Sequence, residues 1–96
     1  MFRTIKLIVA YDGASYVGWQ RQENGKSIQA CVEGAIERIE GRHVGVTSAG
    51  RTDAGVHAIG QVASVQMHSE IGTAALVRAL NASLPRDIRI LQAQEA

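Results

Sequence analysis

Between Thr4 and Tyr11, Ile5, Leu7, Ile8, Val9 and Tyr11 make a β-branched and aromatic run of strand length, closed by the turn signal Asp12-Gly13. The next apolar pattern has a helical period: Ile28, Cys31, Val32, Ala35, Ile36 and Ile39 recur at steps of three and four and draw one stripe. Glu33, Glu37, Arg38 and Glu40 fall mostly outside that stripe, Ser27 offers a hydroxyl as amino-terminal cap, and Gly41 supplies the stop. Residues 44–48 read as a short strand. Residues 61–67 read as another, with Ala63, Val65 and Met67 facing one way and Val62, Ser64 and Gln66 the other. Thr73 is placed to cap a second helix, whose Leu76, Val77, Leu80 and Leu84 share a face until Pro85 forbids continuation. Residues 88–93 form the last strand, its polar positions irregularly interleaved.

The order strand, helix, strand, strand, helix, strand predicts an α+β domain of the ferredoxin-like (split βαβ) type. In it a four-stranded antiparallel sheet carries two helices on one face and leaves the other open. Two stretches stay outside the regular pattern. Residues 13–26, rich in Gly, Gln and Ser and holding Tyr16, Trp19, Gln20 and Arg21, read as a long loop, and 49–60 as a glycine-punctuated one. No linker, low-complexity segment or sequence repeat divides the chain, so residues 1–96 are expected to form a single domain.

Composition agrees with an ordinary globular domain: 46% of the residues are apolar and 20% charged. A net charge of +1 names no partner, so any affinity for nucleic acid has to come from a local cluster of Arg and Lys. Cys31 is the lone cysteine; it allows no internal disulfide and is expected as a small buried thiol in a reducing cytoplasm. Residues 1–10 lack the pattern of a signal peptide, and no apolar run reaches membrane-spanning length.

Chemistry concentrates in Gly50-Arg51-Thr52-Asp53-Ala54-Gly55-Val56-His57-Ala58, where a guanidinium, a carboxylate and an imidazole sit close together between glycines that permit sharp turns and close approach to a ligand. Taken by themselves these residues allow two readings. They form a substrate-facing loop, or Arg51 and Asp53 are a surface ion pair of small energetic weight and His57 a partly buried ring with a satisfied nitrogen. Zinc is a poor match, because Cys31, His43, His57 and His68 have no familiar ligand spacing. A phosphate loop is equally poor, since no Gly-Lys-Ser or Gly-Lys-Thr closes the glycine stretch.

The whole of residues 50–58 resembles the signature of the TruA family of tRNA pseudouridine synthases. Tyr11-Asp12-Gly13, Gly18-Trp19-Gln20-Arg21-Gln22, Leu80-Asn81 and Leu84-Pro85-Arg86-Asp87-Ile88 are similar to the amino-terminal half of that family, in its order. Tyr16, where the family favours phenylalanine, is a mild departure. The resemblance implies an enzyme that converts uridines of the tRNA anticodon stem-loop to pseudouridine without metal or organic cofactor. It implies Asp53 as nucleophile or general base, and Arg51 as its charge partner and the residue that intrudes where the target base leaves the stack. Arg21, Gln22, Lys26, Thr52 and His57 become candidate substrate-binding residues, Thr52 and His57 more in shaping the loop than in chemistry. Arg3 joins Arg21 and Lys26 as a candidate phosphate contact, with ordinary solvated charge the alternative. Trp19 and Tyr16 stack near RNA or anchor the loop. Members of the family are homodimers, longer than this chain, and their second half adds a tyrosine and a basic residue to the site. The expectation is therefore a chain that binds tRNA, pairs through its open sheet face and is inactive alone. The rivals are a non-catalytic RNA-binding module, disfavoured because residues 62–67 hold no Phe or Tyr to stack bases, and a dimerisation module.

Overall fold

Alternation along the strands and the three-to-four period along the helices leave one apolar side on each element, and these sides meet in one layer. The computed structural model describes residues 2–11, 27–48 and 58–95, the side chains of 58–60 excepted. The elements are β1 (Arg3–Tyr11), α1 (Ile28–Glu40), β2 (Val46–Ser48), β3 (Ala58–Met67), α2 (Thr73–Ser83) and β4 (Ile88–Glu95). The strands form one antiparallel sheet in the order β2-β3-β1-β4. This is the split βαβ arrangement expected from the sequence, with β3 inserted between β1 and β2 and β1 between β3 and β4.

Ile5, Leu7, Val9 and Tyr11 of β1, Ala63, Val65 and Met67 of β3, and Ile88 and Ile90 of β4 are buried against Ile28, Val32, Ala35 and Ile36 of α1 and Leu76 and Leu80 of α2. The opposite face of the sheet carries Lys6, Ile8, Val62, Ser64 and Gln66, half-buried or exposed. The alternation in β4 breaks at one point. Ile8 pairs with Gln92 and Val9 with Ile90, so Leu91 is bulged out and 54% exposed. A bulge shifts the inward positions by one residue, and half-buried Ala93 then takes the inward side that the irregular sequence pattern obscured.

Ser27 caps α1 as expected, its Oγ accepting the Ala30 amide at 3.1 Å, and Gly41 ends it in the left-handed region at φ 77°. Thr73, expected as the cap of α2, is instead its first helical residue. The cap is Gly72, which makes no side-chain cap bond, while its carbonyl accepts the Leu76 amide. Cys31 is half-buried, not fully enclosed. Strand bounds differ by a few residues: β2 begins at Val46, and β3 and β4 run longer than their apolar cores.

Glu33 departs most from the amphipathic reading, since it is 3% exposed. Its carboxylate accepts the Val46 amide at 2.8 Å and the Gln29 side-chain amide at 3.1 Å, and the same Gln29 nitrogen donates to the Val46 carbonyl at 2.9 Å. Two side chains of α1 thus occupy both backbone groups of the first residue of an edge strand, and that satisfies a carboxylate that burial alone would expel.

At the end of the sheet where β1 starts, Glu40 and Arg3 hold the connection between β3 and α2. Glu40 accepts the amides of His68 and Ser69, both at 2.8 Å. Arg3 donates to the carbonyls of Ser69, at 3.1 Å, and Ile71, and lies 3.7 Å from Glu95. The expected phosphate contact is therefore a backbone clamp: the carbonyls that face Arg3 engage its guanidinium. Burial raises the proton affinity of the Glu40 carboxyl. The two amides and the positive charge of Arg42 and His68 outweigh it and hold the group below the ordinary value of 4.5. A depressed folded-state value stabilises the fold above the unfolded-state value and ceases to do so as pH falls through the folded one. Glu40→Gln is thus expected to lower the denaturant midpoint at about pH 7 and to converge with the unaltered protein once the pH has fallen below the folded-state value. Parallel titration curves would remove this carboxylate from the acid sensitivity of the fold.

Candidate functional site

The two stretches that hold the candidate site residues adjoin the sheet where β1 ends and β3 begins. β1 ends at Tyr11, which pairs with Ala58, the first residue of β3, on one side and with Ile88, the first residue of β4, on the other. β2 ends at Ser48 and α1 begins behind the buried Ser27. Residues 12–26 therefore run from the end of β1 to the start of α1, and residues 49–57 from the end of β2 to the start of β3. Asp53 is midway in the second connection, five residues in sequence from Ser48 and from Ala58.

Arg21, Gln22, Lys26, Arg51, Thr52, Asp53 and His57 all lie outside the described residues, as do Tyr16, Trp19 and Gln20. What is described is the platform that carries them. Strand ends in a sheet are held by their neighbours' ladders, so loops springing from adjacent ends share a common support. The row Ala58, Tyr11, Ile88 is that support, and Tyr11 is buried beneath it. The segment 84–88 arrives at the same row from the end of α2.

Two further side chains brace this end, and neither received a role from sequence reasoning. Asn81 Nδ2 donates to the Ile90 carbonyl at 3.0 Å, and its Oδ1 accepts the Ile90 amide at 2.8 Å. Arg89 Nη1 lies 2.9 Å from the carbonyl of Ile88, 3.1 Å from that of Pro85, 3.4 Å from that of Asn81 and 3.5 Å from that of Leu84. One signal for Asn81 was available: asparagine is unfavourable inside a helix unless its amide has something to bind.

Away from this end, a groove of about 370 Å³ beside β2 is lined, among the described residues, by Val44, Gly45, Thr47, Ser64, Val65 and Gln66, none of them an acid or a base. Among the described residues no three His, Cys, Asp or Glu side chains gather to hold a metal ion, and no helix is long and apolar enough to cross a membrane.

The family model described as tRNA pseudouridine synthase matches residues 7–96, a span that includes both connections and the platform between them. The chain belongs to the tRNA pseudouridine synthase family. It is 52% identical over 94 residues to a tRNA pseudouridine synthase A of Geobacter sulfurreducens, a match covering 98% of this chain and 38% of the relative. It is 50% identical over 91 residues to one of Myxococcus xanthus, covering 95% and 34%, and 47% identical over 93 residues to one of Caldicellulosiruptor saccharolyticus, covering 97% and 38%. The chain thus spans less than two fifths of the length of these relatives. The segments 11–13, 18–22, 50–58, 80–81 and 84–88, singled out by resemblance, all lie within the matched span 7–96.

Proposed function

We propose that this chain is the aspartate-bearing part of an enzyme that isomerises uridine to pseudouridine in the anticodon stem-loop of tRNA. The observation that carries the reading is residues 50–58, which resemble the family signature and join β2 to β3 in a chain that the family model matches over residues 7–96. In this reaction the bond between ribose C1′ and base N1 breaks with its electron pair on N1, the base turns, C1′ bonds to C5, whose hydrogen leaves as a proton, and N1 takes up a proton. Asp53, ionised at neutral pH, serves either as nucleophile toward sugar or base, or as the base that takes a ribose proton and then assists rejoining. Arg51 favours the ionised carboxylate and fills the place of the base drawn out of the stack. Arg21, Gln22, Lys26, Thr52 and His57 contact the tRNA around it. No metal or organic cofactor enters these steps.

The reading places the protein in the cytoplasm, with tRNA, and assigns the open sheet face to pairing with a second copy, where Ile8 faces Val62 across the β1–β3 ladder. Sedimentation over a range of concentrations reads that pairing. It also assigns part of the site to the remainder of the relatives' length, so residues 1–96 alone are inactive. A stacking platform for RNA is disfavoured, because Val62, Ser64 and Gln66, the outward residues of β3, offer no ring. The test uses tRNA carrying tritium at uridine C5, supplied to residues 1–96 and to a protein of the relatives' full length that contains them. Tritium release is expected from the longer protein only, with the product mapping to the anticodon stem-loop. Release by residues 1–96 alone would overturn the shared site, and release confined to another arm of the tRNA would overturn the target.

A further inference from the structure

We propose that Asn81 and Arg89 are positioning residues for the isomerisation, setting the height and angle of the sheet end from which the Asp53 segment springs. The proposal rests on the function just argued. β4 is an edge strand, and the outward N–H and C=O of an edge residue lack a neighbouring strand. Asn81, from α2, supplies both missing partners to Ile90 with one side chain. This two-point bond allows neither rotation nor sliding of β4 at that residue, because its donor and acceptor are fixed in one amide plane.

Arg89 completes the lock from the adjacent residue. The two hydrogens of Nη1 are shared among four carbonyls, of Asn81, Leu84, Pro85 and Ile88, so the turn between α2 and β4 is wound around one guanidinium. Its positive charge stands at the carboxy-terminal end of α2, where the helix carries partial negative charge. The amide of Ile88 meanwhile donates to the Pro85 carbonyl at 3.1 Å. The turn thus delivers Ile88 to a fixed place opposite Tyr11, and Tyr11 holds Ala58, where residues 49–57 rejoin the sheet. Both side chains act through this row. A small misplacement of a catalytic group is costly in rate while leaving distributed substrate contacts intact, so the signature is a loss in the chemical step without a loss in binding.

The test compares Asn81→Ala and Arg89→Gln with Glu40→Ala, which removes the partner of two amides at the opposite end of the sheet. In a protein of the relatives' full length, Asn81→Ala and Arg89→Gln are expected to slow single-turnover isomerisation by about ten- to a hundredfold, with tRNA Kd changed by less than about threefold. Glu40→Ala is expected to stay within about twofold of the unaltered rate below its melting temperature. In residues 1–96, amide exchange over 9–11, 58–61 and 88–90 is expected to quicken at least about fivefold in Asn81→Ala or Arg89→Gln and not in Glu40→Ala. Rates for both variants equal to that of Glu40→Ala, or unchanged exchange in those three stretches, would overturn the proposal. Absence of isomerisation even in the unaltered protein would instead sink the function itself, and the exchange result would still decide whether the two side chains hold the row.

Discussion

Asp53→Asn is expected to slow uridine isomerisation by at least about a thousandfold in a protein of the relatives' full length that carries this segment. Asparagine keeps the size of the side chain and one accepting oxygen, but removes the negative charge and the basic oxygen, so neither attack nor proton transfer survives. General acid–base groups alone contribute about a hundred- to ten-thousandfold, and a nucleophile contributes more. Affinity for tRNA rests on many phosphate contacts and is expected to change by less than about tenfold. An Arg51–Asp53 surface ion pair without catalytic role leads to the reverse pattern, near-normal turnover with a slight change in stability. Single-turnover rates and a binding isotherm on the same variant separate the two outcomes.

Leu80→Ala is expected to have the largest effect on the fold. Leu80 is fully buried in the layer between α2 and the sheet, and its carbonyl accepts the Leu84 amide at 3.0 Å where the helix ends. Truncation loses the transfer free energy of the removed carbons and leaves a cavity, together about 2–5 kcal/mol. Domains of this kind have about 5–15 kcal/mol in all, so the variant is expected to melt well below the unaltered protein. Ala82, exposed two positions on, offers a control: Ala82→Ser is expected to shift stability by less than about 0.5 kcal/mol. Urea denaturation of both variants checks the contrast, and equal midpoints would mean that α2 does not seat its apolar face as described.

What could be read from the chain alone was what depends on near neighbours. The stripe of α1, its Ser27 cap and its Gly41 stop are local, and all three stand in the structure. The helix-facing side of β3 followed from simple alternation. Features that depend on distant segments were hidden. Burial of Glu33 needs β2 alongside α1, engagement of Arg3 needs the carbonyls of Ser69 and Ile71, and the alternation of β4 is shifted by its bulge at Leu91. Thr73 misled because a hydroxyl residue near a helix start is a good cap only when its own backbone is extended, and here the extended residue is Gly72. The candidate site rests on its motif alone: spacing leaves Arg51, Asp53 and His57 open to a bland reading, and the resemblance over residues 50–58 supplies the role proposed for them, on residues that lie outside those described. Asn81 stands in the Leu80-Asn81 segment of the resemblance, but its bracing of β4 and that by Arg89 depend on carbonyls brought together by the turn after α2, which no local pattern displays.

The most direct measurement adds residues 1–96 to the separately produced remainder of a full-length relative and follows tritium released from C5-labelled uridine in tRNA. With the unaltered segment, release is expected above that of either part alone; with Asp53→Asn in the same segment, it is expected to fall to background. Release undiminished by Asp53→Asn would contradict the claim that this chain brings the reacting carboxylate to the enzyme.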